Sequence, residues 1–247
     1  LIMRAVAIEF RSKRPSPVWR RTWDACFAAG SLLSALLVGV ALGNIAAGVP
    51  LGADFEYAGT FLGLLNPYAL TVGLTTVVLF AAHGAVYLLM KTEGELQDQV
   101  RRWIRPAVAL CVLAVSATTV LTLAGVPHMT DTIRAHPVLF AVPLVGALAT
   151  VNILREVRLG REMRAFLSSC TAMVALMALF GVGMYPDLVY SSPAPEHSLT
   201  VANAASSETT LGIMLVIALL GVPLVIAYSA SIYWVFRGKV RLDAASY

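Results

Sequence analysis

The sequence predicts an all-α fold, a helical bundle that crosses a membrane several times. Of its 247 residues, 58% are hydrophobic and 13% are charged, and the mean hydropathy is +0.78. Soluble domains carry about 25% charged residues, so this composition excludes an ordinary soluble enzyme. The apolar residues form long uninterrupted segments, and the period-2 alternation typical of a membrane β-barrel is absent.

Six apolar segments are long enough to cross a bilayer, which takes about 20 mostly apolar residues. They cover residues 25–47, 66–90, 106–126, 137–154, 165–186 and 210–236. A further apolar stretch at residues 1–8 is too short to span, and we interpret it as the last turns of a helix whose beginning is missing. The whole chain, residues 1–247, is therefore predicted to be one integral membrane domain with six complete spans and the end of a truncated one.

The basic residues predict the orientation of these spans. Seventeen of the 18 Lys and Arg residues lie in alternate connections, on one side of the predicted bundle, and Arg134 is the exception. Short loops rich in Lys and Arg stay in the cytoplasm. We therefore predict that the basic side, which includes the carboxyl terminus, is cytoplasmic. The basic residues stand in short clusters between apolar segments, so we expect membrane lipid and no nucleic acid as a partner.

The sequence carries no recognisable self-contained catalytic site. Cys26, Cys111 and Cys170 lie singly within apolar segments, which supports neither a disulfide framework nor a zinc site. A phosphate-binding loop, a dinucleotide fingerprint, a nucleophile elbow and an HExxH motif are all absent from the sequence. We therefore predict no catalytic residue and no metal ligand in this chain.

Three polar residues in or near the cytoplasmic half are candidates for proton access: His83, Glu93 and Asp24. Ionisable groups inside a membrane are costly and often functional, and His83 is the only histidine within a predicted span. His83 either lines a cavity or joins two helices, and the alternative is a haem ligand. Asp24 either caps the helix that follows it or handles protons.

One helix-packing motif lies in the first complete span. Gly39 and Gly43 form a GxxxG pattern, and small residues at this spacing let two membrane helices approach closely. We expect this helix to pack inside the bundle or at an interface.

Several segments, taken in order along the whole chain, resemble subunit II of the cytochrome bd-type quinol oxidases, including the cyanide-insensitive branch. They are EFRSK (9–13), WRRTWD (19–24), GNIAAGVP (43–50), LLNPYAL (64–70), HGA (83–85), KTEGEL (91–96), SLTVANAASS (198–207), FRGKV (236–240) and SY (246–247). Each segment alone is a weak signal, but the set in register is specific.

The resemblance implies subunit II of a ubiquinol oxidase in the inner membrane of a bacterium, supporting electron transfer from quinol to oxygen. It implies a nine-helix bundle of which this chain retains helices four to nine. Haem b, haem d and the quinol site would belong to the partner, subunit I, and subunit II would hold a structural quinone in some members. The alternatives are a secondary transporter or permease, and an assembly factor without a role in turnover.

Overall fold

The computed structural model of the chain describes residues 1–240, and this range contains eight α-helices and one short β-hairpin. The helices are α1 (Ile2–Arg11), α2 (Pro17–Ala47), α3 (Pro67–Lys91), α4 (Gly94–Gly125), α5 (His128–Ala135), α6 (Ala141–Arg158), α7 (Glu162–Met184) and α8 (Glu208–Val235). The hairpin pairs β1 (Asp187–Val189) with β2 (Leu199–Thr200) in antiparallel fashion. Arg241, one of the 17 basic residues on the predicted cytoplasmic side, and the SY segment lie outside the described residues.

Six of these helices are long and apolar enough to cross a membrane: α2, α3, α4, α6 with the 3-10 turn before it, α7 and α8. The predicted all-helical bundle with six spans is therefore confirmed. Between α7 and α8, the chain forms the hairpin and a 3-10 turn at Pro195–His197.

Two helices begin at least two turns before the apolar segments indicate. Helix α2 begins at Pro17, after the N-cap Ser16, and α4 begins at Gly94 and contains Pro106 in its interior. Hydropathy detects only the apolar part of a helix, whereas these two helices continue through polar turns beyond it. Asp24 therefore lies two turns inside α2, and the prediction of Asp24 as an N-cap is wrong.

The sharp connections on the basic side depend on glycines in the left-handed region. Gly94, the first residue of α4, has φ +68°, and Gly160, between α6 and α7, has φ +67°. Glycine adopts this conformation at no steric cost. On the opposite side, Asn66 caps α3 by accepting a hydrogen bond from the Ala69 N–H at 2.8 Å, and Pro67 follows at the first helical position.

The core of the bundle lies where α3, α4, α6 and α7 meet. Helix α2 packs on α3, α3 packs on α4 and α7, and α6 packs on α7. One buried cluster joins four helices: Val86, Leu89, Val100, Ile104, Val108, Ile153, Val157 and Ala165.

The α2–α3 contact is close enough to require glycine. A Cβ atom added to Gly39 would lie 2.7 Å from the Gly73 Cα, and one added to Gly43 would lie 2.7 Å from the Ala69 Cα. Both glycines are buried. The two helix backbones therefore touch directly along the GxxxG face of α2.

Helix α8 contacts the bundle chiefly through the segment that follows it. None of its residues is buried. After α8, the Val240 N–H donates to the Lys91 carbonyl at 2.8 Å, the Lys91 Nζ donates to the Phe236 carbonyl, and the Lys239 Nζ lies 3.4 Å from a Glu162 carboxylate oxygen. These contacts attach the end of α8 to the basic-side ends of α3 and α7.

Candidate functional site

His83 lies in the interior of the bundle and joins α3 to α7. Its Nδ1 atom is 2.9 Å from the Oγ of Ser169, and its ring lies 5.2 Å from the ring of Phe166. The single hydroxyl proton of Ser169 is directed to the Phe166 carbonyl at 2.7 Å. When the Ser169 hydroxyl donates to that carbonyl, the Oγ accepts from an Nδ1–H, and this tautomer of His83 leaves Nε2 as a hydrogen-bond acceptor.

An apolar cavity of about 310 Å³ lies beside His83, between α3, α4, α6 and α7. Its wall consists mostly of Val, Leu, Ala, Ile and Gly residues from these four helices. The polar groups in the wall are few and uncharged: His83, Ser169, Ser116, Thr119, Thr150 and Cys111. An apolar pocket with a few placed polar groups is the usual form of a small-molecule site.

The second predicted residue, Asp24, is engaged in an ion pair. The Arg11 Nε lies 2.6 Å from the Asp24 Oδ1, and the Arg11 Nη2 lies 3.4 Å from the Asp24 Oδ2. The hydrogen bond that Arg11 donates to Asp24, and then the charge of Asp24, raise the pKa of Arg11, while desolvation lowers it. The pair ties α1 to α2, and both side chains are about half exposed.

The third predicted residue, Glu93, occupies the N-cap position of α4 and is exposed. It lies in the turn between α3 and α4 on the basic side of the bundle. His83, Asp24 and Glu93 thus have three different settings: the cavity, the α1–α2 contact and a surface turn. Only His83 lines the cavity.

Glu156 is a buried carboxylate that the hydropathy pattern does not predict. Its side chain is 3% exposed, and its partners are Arg155 at 3.2 Å and Arg161 at 4.0 Å. The predicted span ended at residue 154, whereas α6 continues to Arg158 and buries one more turn. A signal was present in the sequence, because Glu156 stands between the apolar residues Ile153 and Val157, which belong to the core.

A second polar cluster lies at the opposite end of the bundle, around His128. Its Nε2 is 2.9 Å from the Ala46 carbonyl oxygen, and its ring stacks on Tyr190 with centroids 3.8 Å apart. Burial lowers the pKa of His128, while the Ala46 carbonyl and the charges of Asp187 and Asp131 oppose the shift. These contacts join α5, the end of α2 and the hairpin.

Comparison with known proteins decides between the alternatives left by the sequence. A family model for cytochrome bd terminal oxidase subunit II matches residues 1–236. The chain belongs to the cytochrome bd oxidase subunit II family. This assignment confirms the resemblance and sets aside the transporter alternative.

The similar curated proteins are oxidase subunits too. The chain is 29% identical to the cytochrome bd-I ubiquinol oxidase subunit 2 of Escherichia coli (strain K12), over 98% of this chain and 72% of that protein. It is 31% identical to a probable cytochrome oxidase subunit 2 of Haemophilus influenzae, over 99% and 72% of the two chains. It is 27% identical to the cytochrome bd ubiquinol oxidase subunit 2 of Bacillus subtilis, over 97% and 70%.

This bd oxidase subunit II is thus a multi-pass membrane protein of a respiratory oxidase. It belongs to a haem-containing complex with other oxidase subunits. The remaining question is what its own residues contribute to that complex.

Proposed function

We propose that this chain is the subunit of a bd-type ubiquinol oxidase that ligates no haem and supports the haem-bearing subunit I. In this proposal, haem b, haem d and the site of quinol oxidation belong to subunit I. Electrons then pass from quinol to oxygen within the partner, and this chain packs against it in the bacterial inner membrane, with the carboxyl terminus in the cytoplasm.

The observation that carries the proposal is the wall of the His83 cavity. A haem brings two propionate groups, and burying them without cationic partners is costly. Among the described residues 1–240, neither Lys nor Arg lines this cavity. Met173 shares the wall with His83, and His with Met is a known haem ligand combination, but the propionates would remain without a counter-charge. The residues present therefore do not fit a haem.

The same wall fits the uncharged head of a quinone, and we assign a structural quinone to this cavity. The reduced form has hydroxyl groups that donate hydrogen bonds, and the His83 Nε2 is an acceptor. Ser116 contributes a hydroxyl group that donates or accepts. The apolar residues from α4, α6 and α7 suit an isoprenoid tail.

Extraction of quinone from the purified complex tests this assignment. We expect the amount of quinone per complex to exceed the amount that subunit I alone retains. We expect His83→Ala to lower the amount of quinone per complex while the haem content stays normal. Thr171→Ala is the matched control, because Thr171 is exposed on α7 and its hydroxyl donates to the Leu167 carbonyl of its own helix. Unchanged quinone content in the His83→Ala complex would contradict the assignment.

We also propose a role in proton access for the polar groups of the basic side, with His83 the foremost of them because it lines the cavity. Asp24 and Glu93 lie nearer the surface, where protons taken from the cytoplasm would enter. The changes His83→Gln, Asp24→Asn and Glu93→Gln, each followed by quinol-dependent oxygen uptake at normal haem content, test this role. Loss of turnover supports it, and unchanged turnover leaves these residues with the structural contacts described above.

A further inference from the structure

The turn between α6 and α7 carries four exposed arginines, Arg155, Arg158, Arg161 and Arg164. We propose that these arginines bind the headgroup of an anionic phospholipid. Gly160, with its φ of +67°, reverses the chain so sharply that α7 begins four residues after α6 ends. The arginines at the end of α6 and at the start of α7 are thereby brought to one place at the edge of the bundle.

The acidic residues nearby leave part of this positive charge without a partner. Buried Glu156 pairs with Arg155 at 3.2 Å and Arg161 at 4.0 Å. Glu162 pairs with Arg101 and Lys239. Within residues 1–240, Arg158 and Arg164 have no acidic partner. Glu156 therefore fixes two of the arginines, and the other two remain available for an external anion.

The surface next to the arginines is apolar and continues along the helices. On α6, Leu144, Leu148 and Val151 are exposed and precede Arg155 at spacings of three and four residues, which keeps them on one helix face. This apolar face therefore ends in arginine at the basic side.

Helix α7 repeats the arrangement from its other end. Exposed Leu167 follows Arg164 by three residues, and exposed Val174 continues the same face. Leu159 and Met163 are exposed between the arginines. Each helix thus presents apolar side chains at membrane depth with guanidinium groups at their end.

A phospholipid has the complementary form, an anionic headgroup above two acyl chains. The guanidinium group binds phosphate oxygens in bidentate fashion, and basic clusters at the end of a membrane span attract anionic lipid. An acidic soluble protein or free phosphate would match the charge but not the apolar faces. The surface therefore selects an anionic lipid such as phosphatidylglycerol.

Photolabelling of the assembled oxidase tests the proposal. The complex is placed in phosphatidylcholine nanodiscs that contain a minor fraction of lipid with a photoreactive acyl chain, with either a phosphatidylglycerol or a phosphatidylcholine headgroup. Mass spectrometry then measures the label on residues 144–174. We expect more label from the phosphatidylglycerol probe, and we expect Arg158→Gln with Arg164→Gln to reduce that preference by about fivefold for each arginine.

Two further double variants test whether the labelling depends on these particular arginines, on the positive charge of the basic side in general, or on misfolding. Arg158→Lys with Arg164→Lys keeps the charge and should keep most of the preference. Arg20→Gln with Arg21→Gln removes the same charge from another exposed part of the basic side and should leave the labelling of residues 144–174 unchanged. Equal labelling by the two probes in the unmodified complex overturns the proposal, and so does an equal loss of preference in both Gln pairs.

Discussion

His83 on α3 and Ser169 on α7 form a hydrogen bond of 2.9 Å between Nδ1 and Oγ, and this bond fixes the ring at the edge of the cavity. The two residues are 86 positions apart in the sequence. With the Ser169 hydroxyl donating to its own helix, this bond favours the His83 tautomer that carries its proton on Nδ1.

Removing the Ser169 hydroxyl should destabilise the bundle. Ser169→Ala leaves a half-buried Nδ1–H without a partner, and we expect a loss of about 1 kcal/mol in the free energy of unfolding. Thermal unfolding of the complex measures this loss. Thr171→Ala, on the exposed face of the same helix, should be close to neutral, and equal destabilisation by both changes would contradict the role of the His83–Ser169 bond.

The contact between α2 and α3 should not tolerate even one added methyl group. Gly39→Ala and Gly43→Ala each place a Cβ within 2.7 Å of the α3 backbone, so the helices must separate, at a cost of about 1–3 kcal/mol for overpacking. The melting temperature of the complex measures the effect. Gly84→Ala is the matched control, because a Cβ there meets nothing within 4 Å; it should be neutral or slightly stabilising.

The orientation of the spans leads to a labelling prediction. In a background without the three native cysteines, Cys at position 101 or 161 should react with an impermeant thiol reagent only after the cells are permeabilised. Cys at position 54 or 196 should react in intact cells, because the loops that contain Asp54 and Glu196 carry no Lys or Arg. Labelling at position 161 before permeabilisation would contradict the predicted orientation of the spans.

The contacts of His128 predict that acid loosens the end of the bundle opposite the basic side. Burial lowers the pKa of His128 below its ordinary value of 6.5, so the unfolded segment binds a proton more readily than the folded one. The contribution of His128 to the stability of this end is therefore fully present above pH 6.5. It decreases as the pH falls from 6.5 to the lowered pKa of the folded state, and below that pKa the loss of stability is constant.

Hydrogen exchange of residues 187–200 at pH 7.5 and pH 5.5 measures this effect. We expect faster exchange at the lower pH, and we expect His128→Gln to abolish the difference. His136→Gln is the control, since His136 is exposed at the end of α5. A pH effect that persists in the His128→Gln protein would show that another group is responsible.

The sequence was sufficient for the spans, because hydropathy and the alternation of basic loops depend on local composition. It was also sufficient to select Gly39, Gly43 and His83, since a glycine pair and a lone histidine stand out in an apolar helix. The beginnings of the helices were predicted less accurately, because α2 and α4 include polar turns before their apolar segments. Asp24 therefore lies inside α2, where it contacts Arg11.

The tertiary contacts could not be predicted from the sequence because they join residues that are far apart along the chain. Nothing local to His83 indicates Ser169 as its partner, and the cavity depends on four helices at once. Glu156 was missed because a hydropathy window ends before the first charged residue, although its burial comes from the core residues on either side.

The central claim is that this chain supports the haem-bearing subunit without ligating a haem itself. The measurement that tests it most directly is the visible absorption spectrum of this polypeptide, purified alone and compared with the assembled complex. We predict no haem band in the chain alone, together with loss of assembled, haem-loaded oxidase in cells that lack the chain. A stoichiometric haem band in the isolated chain that disappears on His83→Ala would contradict the claim.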